Sequence, residues 1–229
     1  MPWSGYLQHG WAMPQPKEAE MDHRPPAMFI ADSPGLDFLN SIATPVDSTI
    51  DWIDDGEGFL SWLDQAGLVP DDALQALRAR ALPGELDKTA DQARTLREWF
   101  RGFVRDRKGR PLAADAPREL EPLNRLLERD ETFSQLAPRA GAHGHEAPLA
   151  LQTMRRWRSP ESLLLPIGEA LARFVCTEDF SNVKACEGHA CTLMFVDHTR
   201  GRARRWCSMA ACGNRAKQAT HRNRRKAAR

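Results

Sequence analysis

Four of the five cysteines fall within 27 consecutive residues, spaced Cys186-x4-Cys191-x15-Cys207-x4-Cys212. Thiolates in two close pairs suit a tetrahedral divalent ion, and zinc in closed structural sites takes four such ligands. The spacing therefore points to one structural Zn2+ held by Cys186, Cys191, Cys207 and Cys212. His189 and His198 offer imidazoles nearby but break the symmetry of the two pairs. The odd thiol count, and a start with neither a basic run nor an apolar core, argue against a secreted disulfide framework. Cys176, at the end of an apolar helical stretch, reads as a small buried hydrophobe.

A hairpin must bring the two pairs together. "TLMFVD" is rich in β-formers, "HTRG" reads as a turn, and "RARRW" leads back to Cys207. Cys191 and Cys207 are equidistant from Thr199, so antiparallel pairing about that turn brings them together. The segment is rich in Arg, and Leu193, Phe195, Val196 and Trp206 alone are too little core to fold about 45 residues. Structural zinc contributes on the order of 10–16 kcal/mol in finger peptides, and nearby arginines favour thiolates.

Charge separates along the chain. Residues 1–197 carry 21 basic and 31 acidic side chains, a balance of −10, whereas residues 198–229 carry 11 basic and no acidic ones. A basic end on an acidic body points to a polyanion partner. After Cys212, "GNRAKQATHRNRRKAAR" reads as a helix with Asn214 as its cap. Ala216, Ala219, Thr220, Asn223 and Ala227 form a stripe of small residues. Gln218, Arg222, Arg225 and Arg229 project opposite, flanked by Lys217, His221, Arg224 and Lys226. The expected nucleic-acid contacts are Arg202, Arg204 and Arg205 in the hairpin, then Asn214, Arg215, Lys217, Gln218, Arg222, Arg224, Arg225 and Lys226.

The preceding residues read mostly as helices. Ser33 with Pro34 opens one, Phe59, Trp62, Leu63 and Ala66 share a face of the next, and Asp71 or Asp72 caps a third. The longest spans Leu86 to Val104 and is closed by Gly109 and Pro111; Ser159 caps the last. Thr132 to Trp157 loses the helical period and reads as a β-hairpin or a long loop. The acidic Asp54, Asp55 and Glu57 suit a helix start, and His143 and His145 suit an exposed loop. The fold class is mainly α: a helical N-terminal domain with a small β-hairpin, plus a C-terminal four-cysteine zinc finger of β-hairpin and basic helix. The expected division is a disordered leader over 1–27, a helical sensor or assembly domain over 28–176, and the finger over 177–229.

The residues "RRWCSMAACGNRAKQATHRNRR", with Cys186 and Cys191 upstream, resemble the CGNR zinc finger, named for the motif standing at Cys212-Gly213-Asn214-Arg215. The likeness covers roughly residues 182–226. "GLDFLNSIA" followed by "DWIDDGEGFLSWLDQAGL" is similar to the helical ABATE domain, which precedes such fingers in a family described as bacterial stress-induced transcription regulators. "SIATP" stands where that family more often has an Asn-Thr pair. The resemblance implies zinc, DNA and a regulatory role.

The expected function is thus zinc-dependent DNA binding in transcription regulation. RNA binding is one alternative, with Trp206 stacking on a base, and a thiol-based redox or metal sensor is another. No nucleophile–base pair or phosphate-binding motif marks an enzyme. No apolar run is long enough for a membrane span, and the expected compartment is the cytoplasm. A homodimer and a small-molecule effector of the helical domain remain open.

Overall fold

The computed structural model describes residues 24–44, 48–139 and 148–227. In chain order the helical part comprises α1 (Pro34–Leu39), the short pair β1 (Ile42–Ala43) and β2 (Ile50–Asp51), α2 (Gly56–Gln65), α3 (Asp71–Arg80) and α4 (Glu85–Arg107). Then come α5 (Ala116–Glu119), α6 (Glu121–Leu127), the hairpin β3 (Thr132–Pro138) with β4 (Leu149–Arg155), and α7 (Leu164–Thr177). The finger follows with β5 (Val183–Ala185), β6 (Met194–Val196) and α8 (Asn214–Ala227). The expected leader lies largely outside the described residues, as do His143, His145 and Arg229.

Local chemistry sets the boundaries. Asp55 caps α2, its Oδ1 accepting the Gly58 N–H at 2.7 Å, while Gly67, at φ +62°, lets the chain turn away from its end. Ser33 occupies the cap of α1 with Pro34 behind it, although its side chain makes no capping bond. The cap of α3 is Pro70, not Asp71 or Asp72; both acids sit in the first turn, where the helix dipole favours them. Ser159 caps a 3-10 turn, Pro160–Leu163, that runs into α7.

Phe100, Phe103 and Val104 of α4 meet Phe38 and Leu39 of α1 and Phe174 of α7 in a common core. Phe174 lies 5.0 Å from Phe180 between ring centroids. Arg97, buried to 2% exposure, reaches from α4 to hold the Asp51 carboxylate at 2.8 and 2.7 Å and Ser41 Oγ at 2.9 Å. Burial alone would raise the Asp51 pKa, but this guanidinium holds it below its ordinary value. Thr132 to Arg155 forms the hairpin of the two sequence alternatives, in register from Thr132 opposite Arg155 to Pro138 opposite Leu149. Cys176 is exposed, which corrects the expectation of a buried thiol: α7 buries Leu171 and Phe174, and Cys176 is turned away from them.

The finger shares this core. Leu193, Met194, Phe195 and Val196 are all buried and continuous with the residues of α1, α4 and α7. The expectation that the finger has only its own few apolar side chains is therefore corrected, because β6 is plugged into the helical part. The pairing also differs from the expected one. β6 pairs antiparallel with β5, Val196 opposite Val183 and Met194 opposite Ala185, and the "RARRW" segment forms no strand. Its backbone finds scattered partners instead, the Arg204 N–H on the Asp197 carboxylate and the Arg205 carbonyl on the Glu187 N–H.

Candidate metal centre and basic face

Cys186 continues the β5–β6 pairing, its N–H donating to the Leu193 carbonyl at 2.9 Å. The chain then turns tightly: the Cys191 N–H reaches the Gly188 carbonyl at 3.0 Å, with Ala190 at φ +61°. The second pair is fastened alongside, for the Glu187 N–H donates to the Arg205 carbonyl at 2.9 Å. Ser208 starts the last element, its Oγ accepting the Ala211 N–H at 2.9 Å. A π-helical turn, Met209–Gly213, carries Cys212 directly into α8. Ser208 is therefore the cap expected at Asn214. The wide turn lets the Cys212 and Gly213 N–H groups share the Ser208 carbonyl, at 3.1 and 3.0 Å.

These turns place the four sulfurs within 4.8 Å of one another. Four thiolates at about 2.3 Å from a central zinc would stand about 3.8 Å apart, close to the 4.0 Å between Cys191 and Cys207. The surroundings fit a thiolate cage. Gly188 and Cys207 donate their N–H groups to Cys186 Sγ at 3.3 and 3.2 Å, and Arg215 Nη2 donates to Cys212 Sγ at 3.3 Å. A Cβ on Gly188 would stand 2.7 Å from Cys212 Sγ, so this glycine makes the room. The four cysteines lie close enough together for the cage to fit one zinc ion, which Cys186, Cys191, Cys207 and Cys212 would hold. His189 lies outside it, and His198 pairs with Glu178 at 2.8 Å.

The thiols do not share one acidity. The contact with the Cys207 thiol pushes the Cys191 pKa down to about 5, against burial. The same contact, then burial, pushes Cys207 up, and burial first of all raises Cys212. A divalent ion among them removes the competition, since a coordinating thiol is deprotonated outright.

Asp197 organises the turn between β6 and Cys207, a role its place in "TLMFVD" does not announce. Its buried carboxylate accepts from Lys184 Nζ at 2.7 Å, the Thr199 hydroxyl at 2.5 Å, and the N–H groups of Thr199 and Arg204 at 3.0 and 2.9 Å. Burial would raise its pKa, yet these donors hold it well below the carboxylate range. The short Asp-x-Thr spacing was the available sequence signal.

The expected nucleic-acid contacts divide. Arg204 is withdrawn from the surface, which corrects its expected place there. Its guanidinium stacks on Phe195 at 4.1 Å, pairs with Asp32 at 2.5 Å, and donates to the carbonyls of Ile30 at 2.9 Å, Trp206 at 3.1 Å and Cys207. Arg215 is half-buried against the cage, its Nε donating to the Ala211 carbonyl at 2.6 Å. Arg202 is exposed but donates to the Asp197 carbonyl, and Arg205 pairs with Glu187 at 2.6 Å. Asn214, Lys217, Gln218, His221, Arg222, Arg224 and Arg225 are all exposed on α8. At 100° per residue these fall on one face. The Lys226 side chain lies outside the described residues.

A family model, "ABATE: Putative stress-induced transcription regulator", matches residues 32–178, well over half of the chain. The chain belongs to the ABATE family. The CGNR zinc finger model matches residues 182–225 of the same ABATE chain, immediately downstream and around the four cysteines. No curated protein matches it. In this ABATE protein the two matched stretches are bound together by Arg204 and by the shared core around β6. None of the helices among the described residues is long and apolar enough to cross a membrane.

Proposed function

We propose that this chain is a zinc-dependent DNA-binding transcription regulator of the cytoplasm, a binding protein and not an enzyme. The observation that carries the reading is the exposed face of α8. Lys217, Arg222, Arg224 and Arg225 stand on it with Gln218 and Asn214, and no acid follows Asp197. The finger's nearest acids are already spent, Glu187 on Arg205 and Asp197 on Lys184. A helix of 14 residues is about 21 Å long and enters a major groove about 12 Å wide. The arginines would neutralise phosphates while Gln218 or an arginine reaches a base edge. Zinc has a structural part here, fixing the start of α8 through Cys212.

Duplex DNA is favoured over RNA by the state of Trp206. Its ring is half-buried with Arg205 over it at 5.1 Å, so it is no free platform for an unpaired base. Competition between a random duplex and a structured RNA tests this, with the duplex expected to win. A genome-wide footprint of the tagged protein should then show discrete promoter sites. Preference for RNA, or a footprint without such sites, would overturn the reading.

A further inference from the structure

We propose that a cleft beside Asp37 binds a small organic ammonium ion, an amine carrying an aromatic ring or a branched alkyl group, and that filling it steadies the seat of the zinc finger. The cleft has a volume of about 260 Å³ and is walled by Phe29, Pro34, Trp62, Ala66 and Leu68. Gln65 also borders it, but both ends of its amide are engaged. Oε1 accepts the Ala27 N–H at 2.9 Å, and Nε2 donates to Ser61 Oγ at 3.1 Å.

Asp37 is the polar group that remains. It is 9% exposed, and its Oδ1 accepts the N–H groups of Ile30 and Ala31, both at 3.0 Å. Its second oxygen has no hydrogen-bond partner among the described residues, and Asp37 itself borders the cleft. Burial pushes the carboxyl up to about 6, with Asp32 adding to the effect and the two N–H groups opposing it. Near neutral pH it is therefore mostly an ionised, poorly solvated acceptor with one side unmet.

That combination selects a ligand class. An anion is repelled by Asp37 and Asp32, and an alcohol gives the carboxylate a hydrogen bond but no countercharge. An ammonium gives both, in a site where burial strengthens the attraction between opposite charges, while its hydrocarbon body covers the apolar walls. Space agrees, since a cavity of about 150 Å³ takes up benzene, leaving room here for a ring with a short amine arm.

The cleft is joined to the finger by a single stretch of backbone. The N–H groups of Ile30 and Ala31 face Asp37, while their carbonyls face the other way. Ile30 O accepts Arg204 Nη2 at 2.9 Å, and Ala31 O accepts the Val196 N–H at 3.0 Å. Asp32, at φ +60°, adds its carboxylate to Arg204. A ligand that holds Asp37 and Phe29 holds the strip on which Arg204 and β6 are seated. It binds the docked arrangement preferentially, and so it stabilises that arrangement by linkage. None of this depends on what α8 recognises.

The test uses full-length, zinc-loaded, 15N-labelled protein at pH 7.5 and constant ionic strength. It is titrated with 2-phenylethylammonium, with 2-phenylethanol and 3-phenylpropionate as controls. The amide signals of Ile30 and Ala31 should shift saturably at roughly millimolar ammonium. The alcohol should bind about tenfold more weakly or worse, and the carboxylate should not bind. Asp37→Asn keeps an oxygen for the two N–H groups and should abolish the preference for the cation. At saturation, transfer of zinc to a chelator should slow on the order of threefold. No saturable shift, equal binding of the alcohol, or undiminished preference in Asp37→Asn would overturn the site. Binding with an unchanged rate of zinc transfer would overturn its coupling to the finger. DNA is not among the readouts, so either result leaves the proposed function to its own test.

Discussion

Asn40 and Met194, 154 positions apart, exchange two hydrogen bonds: Asn40 Nδ2 donates to the Met194 carbonyl at 2.8 Å, and the Met194 N–H donates to Asn40 Oδ1 at 3.0 Å. The side-chain amide at the end of α1 thereby imitates a neighbouring strand for β6. Both residues are buried, so neither main-chain group can turn to water instead. Asn40→Ala should destabilise the whole chain by about 2–4 kcal/mol in urea unfolding. Asn40→Asp, which keeps the acceptor and loses the donor, should also be destabilised. A loss confined to zinc affinity, with global stability intact, would mean the finger is not part of the common core.

Zinc binding should depend on Gly188 as well as on the cysteines. A methyl group there meets Cys212 Sγ, so the cage must open to admit it. Gly188→Ala is expected to weaken zinc affinity by about 10–100-fold, the range for groups that support metal ligands. Competition with a chromophoric chelator measures it. Gly201, which has open space around its Cα, is the control, and Gly201→Ala should leave zinc affinity unchanged.

Asp37 should make stability fall as pH rises through mild acidity. Its pKa in the folded chain is about 6, above the ordinary 3.8, so the folded state holds its proton more tightly than the unfolded one. The group's stabilising effect is complete below about pH 4 and is lost as pH climbs past 6, a change of up to about 3 kcal/mol. Other carboxylates titrate in this window, so the informative quantity is the difference from Asp37→Asn. That variant should gain on the wild type between pH 4.5 and 6.5 in denaturant unfolding. Parallel curves for the two proteins would show that burial does not perturb Asp37.

The metal centre was legible in the sequence because two Cys-x4-Cys pairs leave little else for four thiols to do. The helical body was legible too, from the spacing of Phe59, Trp62 and Leu63 and from Gly67 and Gly109 at the turns. What the residues did not disclose was the use to which single polar side chains are put. Arg204 stands in a run of arginines and looks like its neighbours. Only the approach of Asp32 and Ile30, more than 170 positions earlier, makes it a clamp. Asp197 likewise replaces an expected strand pairing with side-chain bonds to the returning chain. Cys176 is exposed against expectation because an apolar helix end has two faces, and the sequence alone does not say which one the thiol takes.

The salt dependence of DNA affinity for the zinc-loaded chain tests the central claim most directly. Each neutralised phosphate contributes about −0.9 to the slope of log K against log salt. Replacing Arg222 and Arg225 together with Ala should therefore flatten the slope by about 1.8, without changing the zinc content. Arg204→Lys should lower stability and leave the slope alone, since that side chain is already committed to Asp32 and the carbonyls around it. An undiminished slope in the double variant would contradict the account, for it would take the exposed face of α8 out of contact with DNA.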